Sequence, residues 1–215
     1  MITARPNGDG LSIQSCKRMN IHDCFLRTWD DSLVVKNYDV SSSNITFDNI
    51  QVWTDLAQSM EIGFETNKGN KEKSSITDVT FSDITVLHNM HKPVLSIHNG
   101  DNAAVQNITF ENIVVEDARM GMGDGVNDLM EIQVLYNSGW STTKERGTIE
   151  NVVINGFKVL DGNDSTKCVF EGFDEEHGID GISIRNFEYK GKKITSIEDD
   201  IFAVDDRYVK NVTVQ

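Results

Sequence analysis

The chain has 215 residues, of which 38% are hydrophobic and 25% are charged, and its formal net charge is −14. This composition supports one folded domain, residues 1–215, and argues against wholesale disorder. The negative charge argues against nucleic acid as a partner, because a phosphate backbone would be repelled. No apolar run approaches the ~20 residues that span a bilayer, so we expect no membrane segment.

Three cysteines, Cys16, Cys24 and Cys168, are too few and too scattered for a disulfide scaffold or a zinc site. We therefore expect them to be buried free thiols, and we expect no metal or other cofactor. Polar residues follow Met1 almost at once, so no signal peptide is visible in this chain. The compartment is left open, secretion of the full-length protein included.

One alternating pattern, apolar-x-apolar-x-Asx-apolar-x-apolar, recurs from one end of the chain to the other. Its copies begin at Met19, Ile45, Val79, Ile108, Val152, Ile182 and Val212. They lie roughly thirty residues apart, a spacing that suits one supersecondary unit per repeat. Because the alternation has a period of two, each copy predicts β-strand structure.

Each repeat also carries a second, shorter alternating segment, and helix signals are nearly absent. These segments begin at Leu11, Leu33, Met60, Leu95 and Met130. Such repeats predict an all-β parallel β-helix of about seven coils, in which each coil adds one strand to each of several parallel sheets. Its Asx positions would form a side-chain ladder at one turn. A β-sandwich with coincidental patterning is the alternative.

The pattern starts close to Met1 and is interrupted at Gln215. The sequence therefore predicts a truncated segment of a longer helix, with N-terminal coils and a cap missing. Uncapped coils expose unpaired strand edges, so we expect self-association through them.

Two acidic segments stand apart from the repeat. Asp9 lies just before the strand at Leu11, and Asp30-Asp31 lie just before the strand at Leu33. About one coil separates them, so a β-helix would bring the three carboxyl groups together, and their repulsion would keep one protonated. A protonated acid beside ionised partners suits inverting glycoside hydrolysis. A solvated acidic turn and a calcium site are the alternatives.

These segments resemble those of a known family. Asn7-Gly8-Asp9-Gly10-Leu11-Ser12-Ile13, followed by Ser15-Cys16, and Asp30-Asp31-Ser32-Leu33-Val34-Val35-Lys36 are similar to the paired motifs of the polygalacturonase family, glycoside hydrolase family 28. The resemblance implies a right-handed parallel β-helix and hydrolysis with inversion. It implies Asp31 as the general acid, with Asp9 and Asp30 positioning the attacking water.

The chain departs from the family at the positions expected to hold the substrate. Gln58 stands where the family has a histidine, Ser96 and His98 stand where it has an arginine and a lysine, and Trp29 replaces a glycine. The sequence therefore predicts a polysaccharide or oligosaccharide substrate that is not confined to galacturonate. The residues expected to contact it are Asn7, Trp29, Lys36, Gln58, Glu61, Ser96 and His98.

Strand alternation predicts which side chains point outward from the sheet of short strands. Val34, Glu61 and Glu131 are among them, and Glu65 could line the same groove. Trp29 is our first choice for stacking on a sugar ring because it adjoins Asp30, with Trp53 and Trp140 as alternatives. Two other functions remain open: a non-catalytic β-helix that binds glycans or forms part of an assembly, and a calcium-dependent enzyme like pectate lyase that uses Lys36.

Overall fold

The computed structural model describes residues 1–38, 40–68 and 72–215, and within these ranges the regular structure is entirely β-strand. Seven short strands form one parallel sheet, each paired with the next coil. In chain order they are β1 (Leu11–Gln14), β3 (Leu33–Asn37), β5 (Met60–Thr66), β7 (Leu95–Asn99), β9 (Asp128–Val134), β11 (Lys167–Glu171) and β14 (Phe202–Val204).

The remaining strands form a second ladder, which is parallel except where β13 returns antiparallel to β12. They are β2 (Lys17–Thr28), β4 (Ser42–Thr54), β6 (Ser75–Asn89), β8 (Ala104–Ala118), β10 (Thr148–Gly162), β12 (Ile179–Tyr189), β13 (Lys192–Ile194) and β15 (Val209–Val214). This stacked parallel arrangement is a parallel β-helix, and the prediction from the repeats is confirmed. Among the described residues, no helix is long and apolar enough to cross a bilayer.

The register of the long strands follows the repeat read from the sequence. Met19 pairs with Ile45, and the first apolar residue of every later copy pairs with that of the next copy, as far as Val212. From Ile45 to Ile182 these equivalent apolar side chains are buried and stack along the helix axis inside the core. Phe81 shows this directly, since its ring lies parallel to Phe47 at 4.9 Å and to Phe110 at 5.0 Å.

The predicted Asx ladder is present and bends each long strand. Asp23, Asn49, Asp83, Asn112 and Asn186 all adopt the left-handed backbone conformation, with φ between 51° and 55°. Their side chains bond between coils, as Asn49 does when its amide donates to Asp23 at 2.6 Å. Asx residues tolerate positive φ and satisfy the polar groups of the turn, so one residue type serves both needs.

All three cysteines are free thiols, as predicted. The expectation that all are buried is wrong for Cys16 and Cys24, which are partly exposed on the first coils, whereas Cys168 is buried in the core.

Candidate active site

A cavity of about 370 Å³ opens beside the sheet of short strands and contains the acidic segments singled out in the sequence. It is lined by Asn7, Asp9, Asp30, Asp31, Lys36, Leu56, Ala57, Gln58, Phe64, Glu65, His91, Lys92, His98, Val126, Glu131, Asn137 and Trp140.

The pairing of β1 with β3 brings Asp9 and Asp31 to neighbouring coils. Leu11 pairs with Leu33, so Asp9 and Asp31 each lie two residues before a paired position. The backbone N–H of Gly10 donates to the carbonyl oxygen of Asp31 at 2.7 Å, which holds the two segments together. A side chain at Gly10 would collide with the carbonyl oxygen of Ser32, so this close approach requires glycine.

A chain of buried hydroxyl groups supports the Asp30-Asp31 turn from below. Ser32 Oγ lies 2.6 Å from Thr28 Oγ1 and 2.7 Å from Thr54 Oγ1, and all three side chains are buried. Thr28 also donates to the backbone carbonyl of Asp30 at 2.7 Å. These hydrogen bonds fix the turn that carries both carboxyl groups.

The Asp31 carboxyl group is the most strongly perturbed acid in the cavity. Burial raises its pKa well above the usual range, and the nearby charges of Glu61 and Asp30 raise it further. The Lys36 charge and a hydrogen bond from the Gln58 backbone N–H, at 3.2 Å, oppose this shift but do not reverse it. Asp31 is therefore the group best suited to hold and donate a proton.

The Asp9 carboxyl group is moderated by a lysine. Burial raises its pKa, Lys36 lowers it, and Asp30 raises it again. The Lys36 ammonium lies 3.5 Å from Asp9 and 3.3 Å from Glu65. Burial opposes the charge on Lys36, but the carboxylates of Glu65, Asp9 and Asp31 outweigh it and raise the pKa of the lysine. The two acids on neighbouring coils thus lie in different electrostatic surroundings, as an acid–base pair requires.

A carboxylate–histidine–carboxylate chain forms part of the cavity wall, which His98 and Glu131 line. His98 Nδ1 is 3.0 Å from Glu61 and its Nε2 is 2.7 Å from Glu131, while Ser96 donates to Glu61. Burial disfavours the charged imidazole, but the charge of Glu61 and the hydrogen bonds to both carboxylates raise the pKa of His98 to about 10. His98 is therefore an imidazolium held between two carboxylates.

The structure brings together some of the predicted substrate contacts but not others. Asn7, Lys36, Gln58 and His98 line the cavity. Glu61 and Ser96 are fully buried and do not line it, and Trp29 is absent from its walls.

Strand alternation predicts that Val34, Glu61 and Ser96 point outward from the sheet of short strands, but other parts of the chain cover all three, and their exposed fraction is 0%. Alternation gives the side of a sheet on which a residue lies but not what packs against that side. Glu65, in contrast, lines the groove as the sequence suggested.

Of the three tryptophans, Trp140 rather than Trp29 lies at the cavity. Trp53 packs on His88, with ring centroids 4.7 Å apart. Sequence reasoning also missed Phe64 and Lys92, since neither belongs to a motif, although Phe64 lies shortly after the predicted strand segment that begins at Met60. No group of three or more His, Cys, Asp or Glu side chains in the described ranges has a geometry that could hold a metal ion.

Comparison with known proteins agrees with the fold and with the acidic motifs. A model of the family described as glycosyl hydrolases family 28 matches residues 2–198. A protein named probable endopolygalacturonase D, from Neosartorya fischeri, is 27% identical over 152 residues. That alignment covers 69% of this chain but only 29% of the relative. The predicted resemblance is confirmed, and the chain belongs to glycosyl hydrolases family 28.

Proposed function

We propose that this protein is a glycosidase that hydrolyses a polysaccharide or oligosaccharide with inversion, using Asp31, Asp9 and Asp30. The observation that carries the proposal is the raised pKa of Asp31 in a cavity that also holds the two other carboxyl groups. Family membership supports the reaction class.

In the proposed reaction, Asp31 donates its proton to the glycosidic oxygen as the bond to the anomeric carbon breaks. Asp9 and Asp30 hold a water molecule on the opposite face of the sugar and accept its proton as the oxygen attacks. The leaving sugar departs with a new hydroxyl group, and the attacked sugar ends with inverted configuration. Lys36 stabilises the ionised form of Asp9, because its ammonium group lies 3.5 Å away.

The substrate is not confined to galacturonate in this proposal. The relative is named as an endopolygalacturonase, but the positions at which the family resemblance implies an arginine and a lysine hold Ser96 and His98. Ser96 is buried against Glu61, and both ring nitrogens of His98 are already bonded to carboxylates. Neither side chain is free to pair with a uronate.

The test is Asp31→Asn, which removes the proton donor and keeps the shape of the side chain. We expect a loss in kcat of about 10²–10⁴-fold, the usual contribution of general acid catalysis. The activity of the unmodified protein is first screened on dextran, polygalacturonate and rhamnogalacturonan. NMR of the fresh product should show the inverted anomer.

Asp83→Asn is the matched control. It makes the same chemical change in the Asx ladder, where Asn49 and Asn112 already occupy the equivalent positions. It should leave activity unchanged. An unimpaired Asp31→Asn enzyme, or a product with retained configuration, would refute the assignment. Binding of a glycan without turnover by the unmodified protein would instead indicate a non-catalytic module.

A further inference from the structure

We propose that Phe64, stacked on the His98 imidazole ring, is a platform for an uncharged sugar ring, and that Glu131 beside it selects against uronates. This inference rests on the proposed function. It specifies that the part of the same cavity next to Phe64 binds uncharged sugars. Nothing in the acidic motifs points to these residues.

The first observation is the stack itself. The Phe64 ring lies over the His98 ring with centroids 4.2 Å apart and planes 5° apart. Phe64 is partly exposed and lines the cavity, whereas only 1% of His98 is exposed. Sugar rings present C–H groups on their faces, and aromatic rings that meet a cavity suit such faces.

The local backbone is built for this stack. Gly63 has φ of +122°, a conformation that L side chains rarely adopt, and a Cβ there would collide with the carbonyl oxygen of His98. Glycine at this position therefore lets β5 approach β7 closely enough for Phe64 to cover the histidine.

The imidazolium beneath the ring is held on both sides. Glu61 accepts from Nδ1 at 3.0 Å, and Glu131 accepts from Nε2 at 2.7 Å. Because both ring nitrogens are engaged, His98 cannot turn to bind a ligand. It acts as the support of Phe64, and its positive charge is balanced within the protein.

The charges that face the cavity disfavour a negatively charged sugar. Besides Asp31, which is the proton donor, four of the lining residues carry carboxyl groups, namely Asp9, Asp30, Glu65 and Glu131. The basic lining residues are Lys36, His91, Lys92 and His98.

Most of these basic groups already have acidic partners. Lys36 pairs with Asp9 and Glu65, and His91 lies 2.8 Å from Asp124. Burial has the largest effect on Glu131 and opposes its ionisation. The hydrogen bond and the charge of His98, a hydrogen bond with Asp128 and the charge of Lys92 together outweigh burial and lower the pKa of Glu131. Glu131 is therefore an ionised carboxylate at the wall of the cavity, and it would repel a second carboxylate.

The experiment compares two ligands with the same sugar backbone: a negatively charged galacturonate oligomer, and the same oligomer with its carboxyl groups reduced to uncharged hydroxymethyl groups. Binding is measured by calorimetry on the Asp31→Asn protein. Because this variant lacks the proposed proton donor, calorimetry measures affinity without hydrolysis. The result therefore tests the sugar preference even if the proposed reaction proves wrong. We expect the reduced oligomer to bind about tenfold more tightly or better, because the acidic form meets like charge.

Phe64→Ala should weaken binding of the reduced oligomer roughly five- to tenfold, the range expected for loss of an aromatic stacking contact. Phe64→Tyr keeps the aromatic ring, so its affinity for the reduced oligomer should match that of the protein with Phe64. Circular dichroism of each variant checks that it is folded. Phe25→Ala is the matched control, since Phe25 is 45% exposed on β2 and does not line the cavity. It should leave the affinity unchanged.

Glu131→Gln should narrow the difference between the two oligomers, because it removes a negative charge and keeps a hydrogen-bonding group. Equal or tighter binding of the galacturonate oligomer by the Asp31→Asn protein would overturn the proposal. So would unchanged affinity in a folded Phe64→Ala variant, or a reduced oligomer that does not bind.

Discussion

The buried charge on His98 predicts how the stability of the protein changes with pH. The pKa of His98 is raised from its ordinary value of 6.5 to about 10, because the favourable charge of Glu61 and the hydrogen bonds to both glutamates outweigh burial. The folded state therefore binds this proton more tightly than the unfolded state. Its contribution to stability is fully present below about pH 6.5 and is lost as the pH rises towards 10.

A pKa difference of this size corresponds to roughly 5 kcal/mol at most, since each unit is worth about 1.4 kcal/mol. Urea unfolding at a series of pH values between 6 and 10 measures it. His98→Gln removes the charge and leaves Glu61 and Glu131 without their cation. We expect it to lower the free energy of unfolding by about 3–5 kcal/mol at pH 6, as for other broken buried ion pairs. The difference from the unmodified protein should shrink as the pH approaches 10.

His22→Gln is the control for the loss of a histidine. The His22 side chain is 57% exposed and pairs with the neighbouring Asp23 at 2.8 Å, so its loss should change stability by less than about 1 kcal/mol. Parallel curves for the unmodified protein and His98→Gln across the whole pH range would refute the reasoning, because they would mean that the folded state holds the His98 proton no more tightly than the unfolded state does.

Three further changes test the acids and the core. Glu61→Gln removes a charge that raises the pKa of Asp31, so the basic limb of the pH–kcat profile should move to lower pH. Lys36→Met removes a charge that lowers the pKa of Asp9, so the acidic limb should move to higher pH. Phe81→Ala removes a fully buried ring stacked on two others and should lower the free energy of unfolding by about 3–5 kcal/mol in urea.

Each change has a matched control away from the cavity. Glu111 is partly exposed on β8 and does not line the cavity, so Glu111→Gln should leave the pH profile unchanged. Lys158→Met breaks an ion pair to Glu188 whose lysine is 48% exposed, and it should have no effect on either limb. Phe25→Ala, on the surface, should change stability far less than Phe81→Ala. A profile that moves equally in a variant and its control would count against the assigned roles.

Much of the fold could be predicted from the sequence because one pattern determined both the strands and their register. The apolar residues that begin each copy, from Met19 to Val212, are the residues that pair between coils. β11 and β14 were not predicted. Their segments show little alternation, and the stacking of Cys168 on Met130 and Phe202 becomes visible only when the coils are wound.

The candidate site was partly predictable for the same reason. A separation of one coil brought Asp9 beside Asp31, as expected. The environment of Glu61 could not be predicted, because the pattern says nothing about the side chains that bury it. Trp140 reaches the cavity from the connection after β9, and the repeat gives no information on the path of such a connection.

The buried position of Ser96 leads to a last prediction. It asks whether an arginine at position 96 would be enough to give the cavity an affinity for galacturonate. If the chain had merely lost the arginine that the family resemblance implies, Ser96→Arg would restore an affinity for galacturonate oligomers. Ser96 is fully buried and donates to Glu61, however, so a guanidinium there would be buried too and would pair with that carboxylate. We expect Ser96→Arg to leave galacturonate affinity unchanged by calorimetry and to lower the free energy of unfolding, because the larger side chain overfills a packed site. Tight binding of galacturonate by this single variant would contradict this reasoning. It would show that the new guanidinium group reaches the cavity instead of pairing with Glu61.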